Sequence, residues 1–148
     1  MLVTQRIRGL YIIFTSCQIA MAGVLFWAHY FLVSSLYSEV ADPDRYWIYC
    51  PLMLGGMLLE SLVRYQQQAR LLNLTFAECH RIALRQVATA GFLVTFFLVA
   101  TKDQVISRVF LFSYALELYL LLLFTDYFFP PRLARWTFIK SPKDNIRC

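Results

Sequence analysis

The scarcest thing in this 148-residue chain is charge: Asp, Glu, Lys and Arg together supply only 16% of it. Soluble domains usually carry about 25%. With 59% hydrophobic residues, 17% aromatics and a mean hydropathy of +0.56, that deficit points to a bilayer. Acidic residues are the scarcer sign, nine against fourteen Lys and Arg, for a formal charge of +5. A basic balance can signal nucleic acid. Here, however, the cations lie between and beside apolar stretches rather than along one face of a soluble helix, so they are assigned to membrane orientation and no nucleic-acid partner is expected. Cys17, Cys50, Cys79 and Cys148 form no CxxC and do not cluster with His29 or His80, which argues against a zinc site. There is no P-loop, GxGxxG, GxSxG or HExxH, and hence no catalytic motif. Repeats, low-complexity tracts and Gly/Ser linkers are also missing.

Four apolar stretches remain, at residues 10–37, 47–63, 82–101 and 109–129. About 20 helical residues cross 30 Å of hydrocarbon, so the pattern predicts an all-α membrane protein of four transmembrane helices in one domain. The first stretch is too long, and too bulky at its far end, for a cleaved signal peptide. The second is short, with Pro51 in its opening turn, where a missing N–H costs little. Arg85 lies near the start of the third, where it can snorkel to the interface. The fourth ends in Tyr127, Phe128 and Phe129, and Pro130 and Pro131 are expected to stop it.

Lys and Arg set the orientation, because cytoplasmic loops carry their excess. Arg6 and Arg8 precede the first stretch; Arg64, Arg70, Arg81 and Arg85 flank the second connection; Arg132, Arg135, Lys140, Lys143 and Arg147 follow the fourth stretch. The other two connections hold Arg45 against Glu39, Asp42 and Asp44, and Lys102 and Arg108 against Asp103. Both termini are therefore expected in the cytoplasm, with two short outer loops and a basic tail over 130–148. This topology keeps the four cysteines from meeting in an oxidising compartment, so no disulfide is expected. Between the second and third spans, Leu72, Phe76 and Cys79 recur at helical spacing. They fit either a short amphipathic helix on the inner leaflet or an extension of a neighbouring span. The sequon Asn73-Leu74-Thr75 falls on the cytoplasmic side and is assigned to chance.

Polar groups inside spans are functional suspects because burying them is costly. Glu117 lies about 13 Å beyond Arg108 along the fourth helix, near the midplane, and Gln18 reaches a similar depth from the other side. The two form a candidate intramembrane pair that fastens helix one to helix four, with proton relay or substrate binding as the sharper alternative. Glu60 and Arg64, spaced i, i+4, suit an ion pair. Asp126 is placed near the inner interface. His29, beside Trp27, Tyr30 and Phe31, is assigned to an aromatic belt. Ser16, Ala20 and Gly23 make a small-residue stripe suited to close helix packing.

The second half of the chain also resembles a known family. Glu78-Cys79-His80-Arg81 leads into the third span, Lys102-Asp103 forms an outer turn, Ile106-Ser107-Arg108 opens the fourth span, and Lys143-Asp144-Asn145-Ile146-Arg147 ends a basic stretch. This is similar to the N-terminal membrane region of the bacterial polyprenyl-phosphate glycosylphosphotransferases, well over residues 60–148 and in hydropathy alone before that. The resemblance implies four N-terminal helices, then a Rossmann-like domain and a C-terminal catalytic domain, which would follow this chain. It further implies transfer of a sugar 1-phosphate from a nucleotide sugar to undecaprenyl phosphate, with magnesium and an acidic pair in that final domain. No residue here corresponds to the pair. For this segment it implies anchoring in the bacterial inner membrane, homodimer or partner packing, and placement of catalysis beside undecaprenyl phosphate at the inner leaflet. Arg108 is the one motif position that carries over, as an interface residue. The alternatives are a standalone four-helix accessory subunit of a transporter or assembly complex, and a proton-coupled carrier built on Glu117.

Overall fold

The computed structural model describes residues 2–37, 43–65, 75–102 and 107–139, and the described chain is entirely helical. Helix α1 runs over Leu2–Leu36, the single turn α2 over Pro43–Tyr46, α3 over Tyr49–Tyr65, α4 over Phe76–Thr101 and α5 over Arg108–Ile139. Three segments are long and apolar enough to cross a membrane: Gly9–Leu36, Phe76–Thr101 and Arg108–Pro130. Apolar exposure fits that reading, since Val24, Phe92, Phe112 and Val99 on the outer surface are all more than two-thirds exposed.

Each helix packs on two neighbours, in the cyclic order α1, α3, α4, α5. Side-chain contacts give the directions. Gln18 bonds Asp126 while His29 bonds Ser113, so α1 and α5 are antiparallel. Tyr11 bonds Ser61 while Tyr30 packs on Tyr46, so α3 runs back along α1. Ser61 meets Gln86 while Tyr49 packs on Phe97, so α4 reverses α3. The result is an up-down-up-down bundle. One end, called here the terminal end, holds Tyr11, Ser61 and Asp126; the opposite end holds Tyr30, Tyr46 and Arg108.

Helix boundaries follow local chemistry. Thr75 caps α4 with a reciprocal box: its hydroxyl accepts from the Glu78 N–H, and the Glu78 carboxylate accepts from the Thr75 N–H at 2.8 Å, satisfying two otherwise orphaned donors. Thr75 of the sequon is thus a helix cap. Residues 76–81 belong to α4 itself, so the extension of the third span applies there, while Leu72 and the rest of the expected amphipathic helix lie outside the described residues. Lys102 ends α4 in the left-handed region at φ 52°, its N–H bonded to Leu98 and Val99 carbonyls, a terminal arrangement that closes helices.

Two boundary expectations change. Helix α3 has 17 residues, or about 25 Å at 1.5 Å per residue, short of the lengths that mark the other three as spans. Helix α5 does not stop at Pro130 and Pro131 but continues to Ile139. The proline φ near −65° is itself helical, so the ring removes hydrogen bonds to the carbonyls of Asp126 and Tyr127 without forcing the chain out of the helix.

Candidate functional site

Polar side chains from all four long helices converge inside the terminal half of the bundle. Gln18 on α1 is 2% exposed and spends both amide hydrogens across the seam, one on Thr125 Oγ1 and one on Asp126 Oδ1 of α5, each at 2.9 Å. Thr125 in turn donates to the Leu122 carbonyl at 3.0 Å, so its oxygen is free to accept from Gln18. Tyr11 donates to the Ser61 carbonyl at 2.7 Å, and Gln86 of α4 reaches the Ser61 hydroxyl at 3.5 Å. Asp126 is buried, and the Arg64 charge acts on it through space. Four polar atoms here are buried with no hydrogen-bond partner: Gln18 Oε1, Gln86 Oε1, Asp126 Oδ2 and Arg64 Nε. Three acceptors and one donor left over in a dry interior suit small polar guests such as water. Among the described residues this cluster pairs no nucleophile with a base.

These contacts correct the expected pairs. Gln18 does not meet Glu117; it meets Asp126, nine residues further along α5, or about 13 Å of helix rise. Depths counted inward from Leu10 and Arg108 carry the uncertainty of both helix ends, and α1 begins eight residues before Leu10, at Leu2. The antiparallel register sets Gln18 level with Asp126 and His29 level with Glu117. Nor does an ion pair join Glu60 to Arg64 among the described residues. Arg64 lies on the last turn of α3, where its charge acts on buried Asp126.

His29 is likewise not a belt residue. It is 3% exposed, packed on Phe110 and Tyr114, with Nε2 at 2.9 Å from Ser113 Oγ and Nδ1 at 3.0 Å from Glu117 Oε2. The second contact has the distance of an ion pair without the alignment of a full hydrogen bond. The Ser113 hydroxyl also lies within reach of the Val109 and Phe110 carbonyls, and which partner donates between it and Nε2 follows the His29 tautomer. Tyr114 donates to the Ala22 carbonyl at 3.0 Å, linking this pair to the Gln18 cluster along the same seam.

Arg108 lies at the opposite end, exposed, on a groove of about 640 Å³ between α4 and α5 with Met53 of α3 beneath it. The groove follows α4 from Gly91 to Lys102 and is walled by apolar groups such as Leu98, Leu111 and Phe112. The side chains of Lys102 and Arg108 have no ion-pair partner among the described residues.

No family model, curated protein or solved structure matches the chain. Among the described residues no group of three His, Cys, Asp or Glu side chains is arranged to hold a metal ion. Tyr11, Ser61 and Gln86 escaped the sequence reading, although a usable signal existed: Tyr11, Gln18 and His29 lie on one α1 stripe at helical spacing, with Phe14, Ala22, Phe26 and Val33. Of the small-residue stripe, Gly23 faces Leu54 of α3, while Ser16 and Ala20 are exposed on the single chain. Close packing occurs instead where a Cβ on Gly56 would lie 2.5 Å from Ala90 Cα.

Proposed function

We propose that the chain is a four-pass membrane domain with both ends on the cytoplasmic side. In this reading it anchors, in a bacterial inner membrane, a transferase that moves sugar 1-phosphate onto undecaprenyl phosphate. The observation that carries the four-pass part is the path of α3. Helices α1 and α4 run in the same direction, so the chain must return between them, and α3 does so antiparallel to both, from just after Tyr46 of α2, which packs on Tyr30, to Ser61 beside Tyr11. Flanked by longer neighbours and carrying Arg64 in its last turn, a helix of about 25 Å suffices where the bilayer thins locally or flanking side chains snorkel. The basic flanks cluster at the terminal end, which supports placing that end in the cytoplasm.

The transferase assignment rests on the residues 78–81, 102–103, 106–108 and 143–147 and on the scarcity of chemistry in this segment, which suits an anchor whose catalytic part and magnesium belong to another domain. Its role would be to hold that part beside the lipid carrier, and the buried polar seam would keep the anchor rigid. Reporter fusions test the topology: fusions at Arg70 and beyond Ile139 are expected to report the cytoplasm, and one between Glu39 and Asp44 the exterior. An exterior signal at Arg70 overturns the orientation. Reading the gene past codon 148 tests the assignment. A continuing frame with a Rossmann-like strand and turn supports it, and an immediate stop favours a standalone membrane subunit.

A further inference from the structure

We infer that the groove between α4 and α5 is a binding site for an anionic phospholipid, with its phosphate on Lys102 and Arg108 and an acyl chain lying along α4. Three features of the groove lead there. Its length from Lys102 to Gly91 is about 16 Å of helix rise, close to the depth of one leaflet in a bilayer core of about 30 Å. Its walls are mostly apolar, and its volume of about 640 Å³ lies between two spans. Both cations stand at one end only, the end where headgroups lie, and neither side chain has an ion-pair partner among the described residues.

Charge complementarity selects the occupant. A phospholipid brings a phosphate to the two cations and hydrocarbon to Leu98, Leu111 and Phe112, and arginine in particular offers a planar fork to phosphate oxygens. A helix from a second copy would fill the apolar part but leave both cations unanswered. The loop connecting α4 and α5 contains one acidic residue, Asp103, against Lys102 and Arg108. The first turn of α5 begins at Arg108, and although Ser107 takes up the Phe110 and Leu111 N–H groups, the helix N-terminus adds a partial positive charge at the same place. The site depends on neither the proposed orientation nor the transferase assignment.

Native mass spectrometry of the full chain, released from vesicles of equimolar phosphatidylglycerol and phosphatidylcholine, tests the proposal. The parent chain is expected to retain phosphatidylglycerol preferentially. In Lys102→Gln/Arg108→Gln that preference should fall by roughly fivefold for each cation removed. Gly91 has open space where a Cβ would go, so Gly91→Leu fills the groove without disturbing the bundle and should lower retention of both lipids, while Gly91→Ala should retain them. Undiminished phosphatidylglycerol preference in the double variant, or full lipid retention in Gly91→Leu, overturns the site. So does a parent dimer that Gly91→Leu converts to monomer with its lipid unchanged, since the groove then belongs to a second copy.

Discussion

The two seams that hold opposite edges of the bundle are built on different principles. Between α3 and α4 the contact is close and mostly apolar: Gly56 lies against the backbone of Ala90, and Cys79 and Ala83 of α4 are also fully buried. Between α1 and α5 the helices are joined by a ladder of polar bonds, from His29 with Ser113 and Glu117, through Tyr114, to Gln18 with Thr125 and Asp126. Helices in lipid gain no hydrophobic advantage by touching, so they associate through van der Waals fit or interhelical hydrogen bonds. One edge of this protein relies on the first and the other on the second. The tight seam has no room for change, whereas the polar seam tolerates change wherever donors and acceptors still match.

Gly56→Leu should break that contrast most severely. A Cβ alone would meet Ala90 Cα at 2.5 Å and Ala90 N at 2.9 Å; backbone cannot yield as a flexible side chain can, so the helices must part. The expected loss is about 3 kcal/mol or more, read as a lowered midpoint of SDS unfolding in mixed micelles, with Gly56→Ala intermediate. At the polar seam, Gln18→Leu removes the hydrogen-bond donor that serves Asp126 and should cost about 1 to 2 kcal/mol by the same measurement. Adding Asp126→Leu should recover part of that loss, because the stranded carboxylate goes too; strictly additive losses would show that the pair is not coupled. The smallest effect is expected at Glu117→Gln, under about 1 kcal/mol, because the Gln amide can donate to the His29 Nδ1 that the carboxyl now faces. His29→Leu, which removes the Ser113 bond and the Glu117 contact together, should cost more. Should Glu117→Gln abolish a biological activity while leaving this stability intact, the His29–Glu117 contact is functional and the ladder is more than a fastening.

The choice of partners on that ladder shows how far the residues speak for themselves. Gln18 and Glu117 stand out in the sequence because each is polar within an apolar run, and both do lie on the α1–α5 seam. Their pairing was misjudged because antiparallel register is counted from helix ends. Those ends were hidden: α1 extends back to Leu2 and α5 runs through two prolines to Ile139. Asp126, close to a terminus, looked solvated, and His29, among aromatics, looked interfacial. Only the packing of the opposite helix shows that both are enclosed.

By itself the sequence determined that the chain is helical and rich in membrane-length apolar segments, because hydrocarbon leaves the backbone few other ways to satisfy its polar groups. It also determined the asymmetry of Lys and Arg that orients such segments. The tertiary structure alone decided which faces meet. A side chain turned to lipid and one turned to a neighbouring helix are equally apolar, so hydropathy cannot separate Phe112, exposed, from Phe110, buried. Polar partners and the small residue at a close crossing carry that information, and their meaning appears only when a second helix supplies the matching donor, acceptor or empty space.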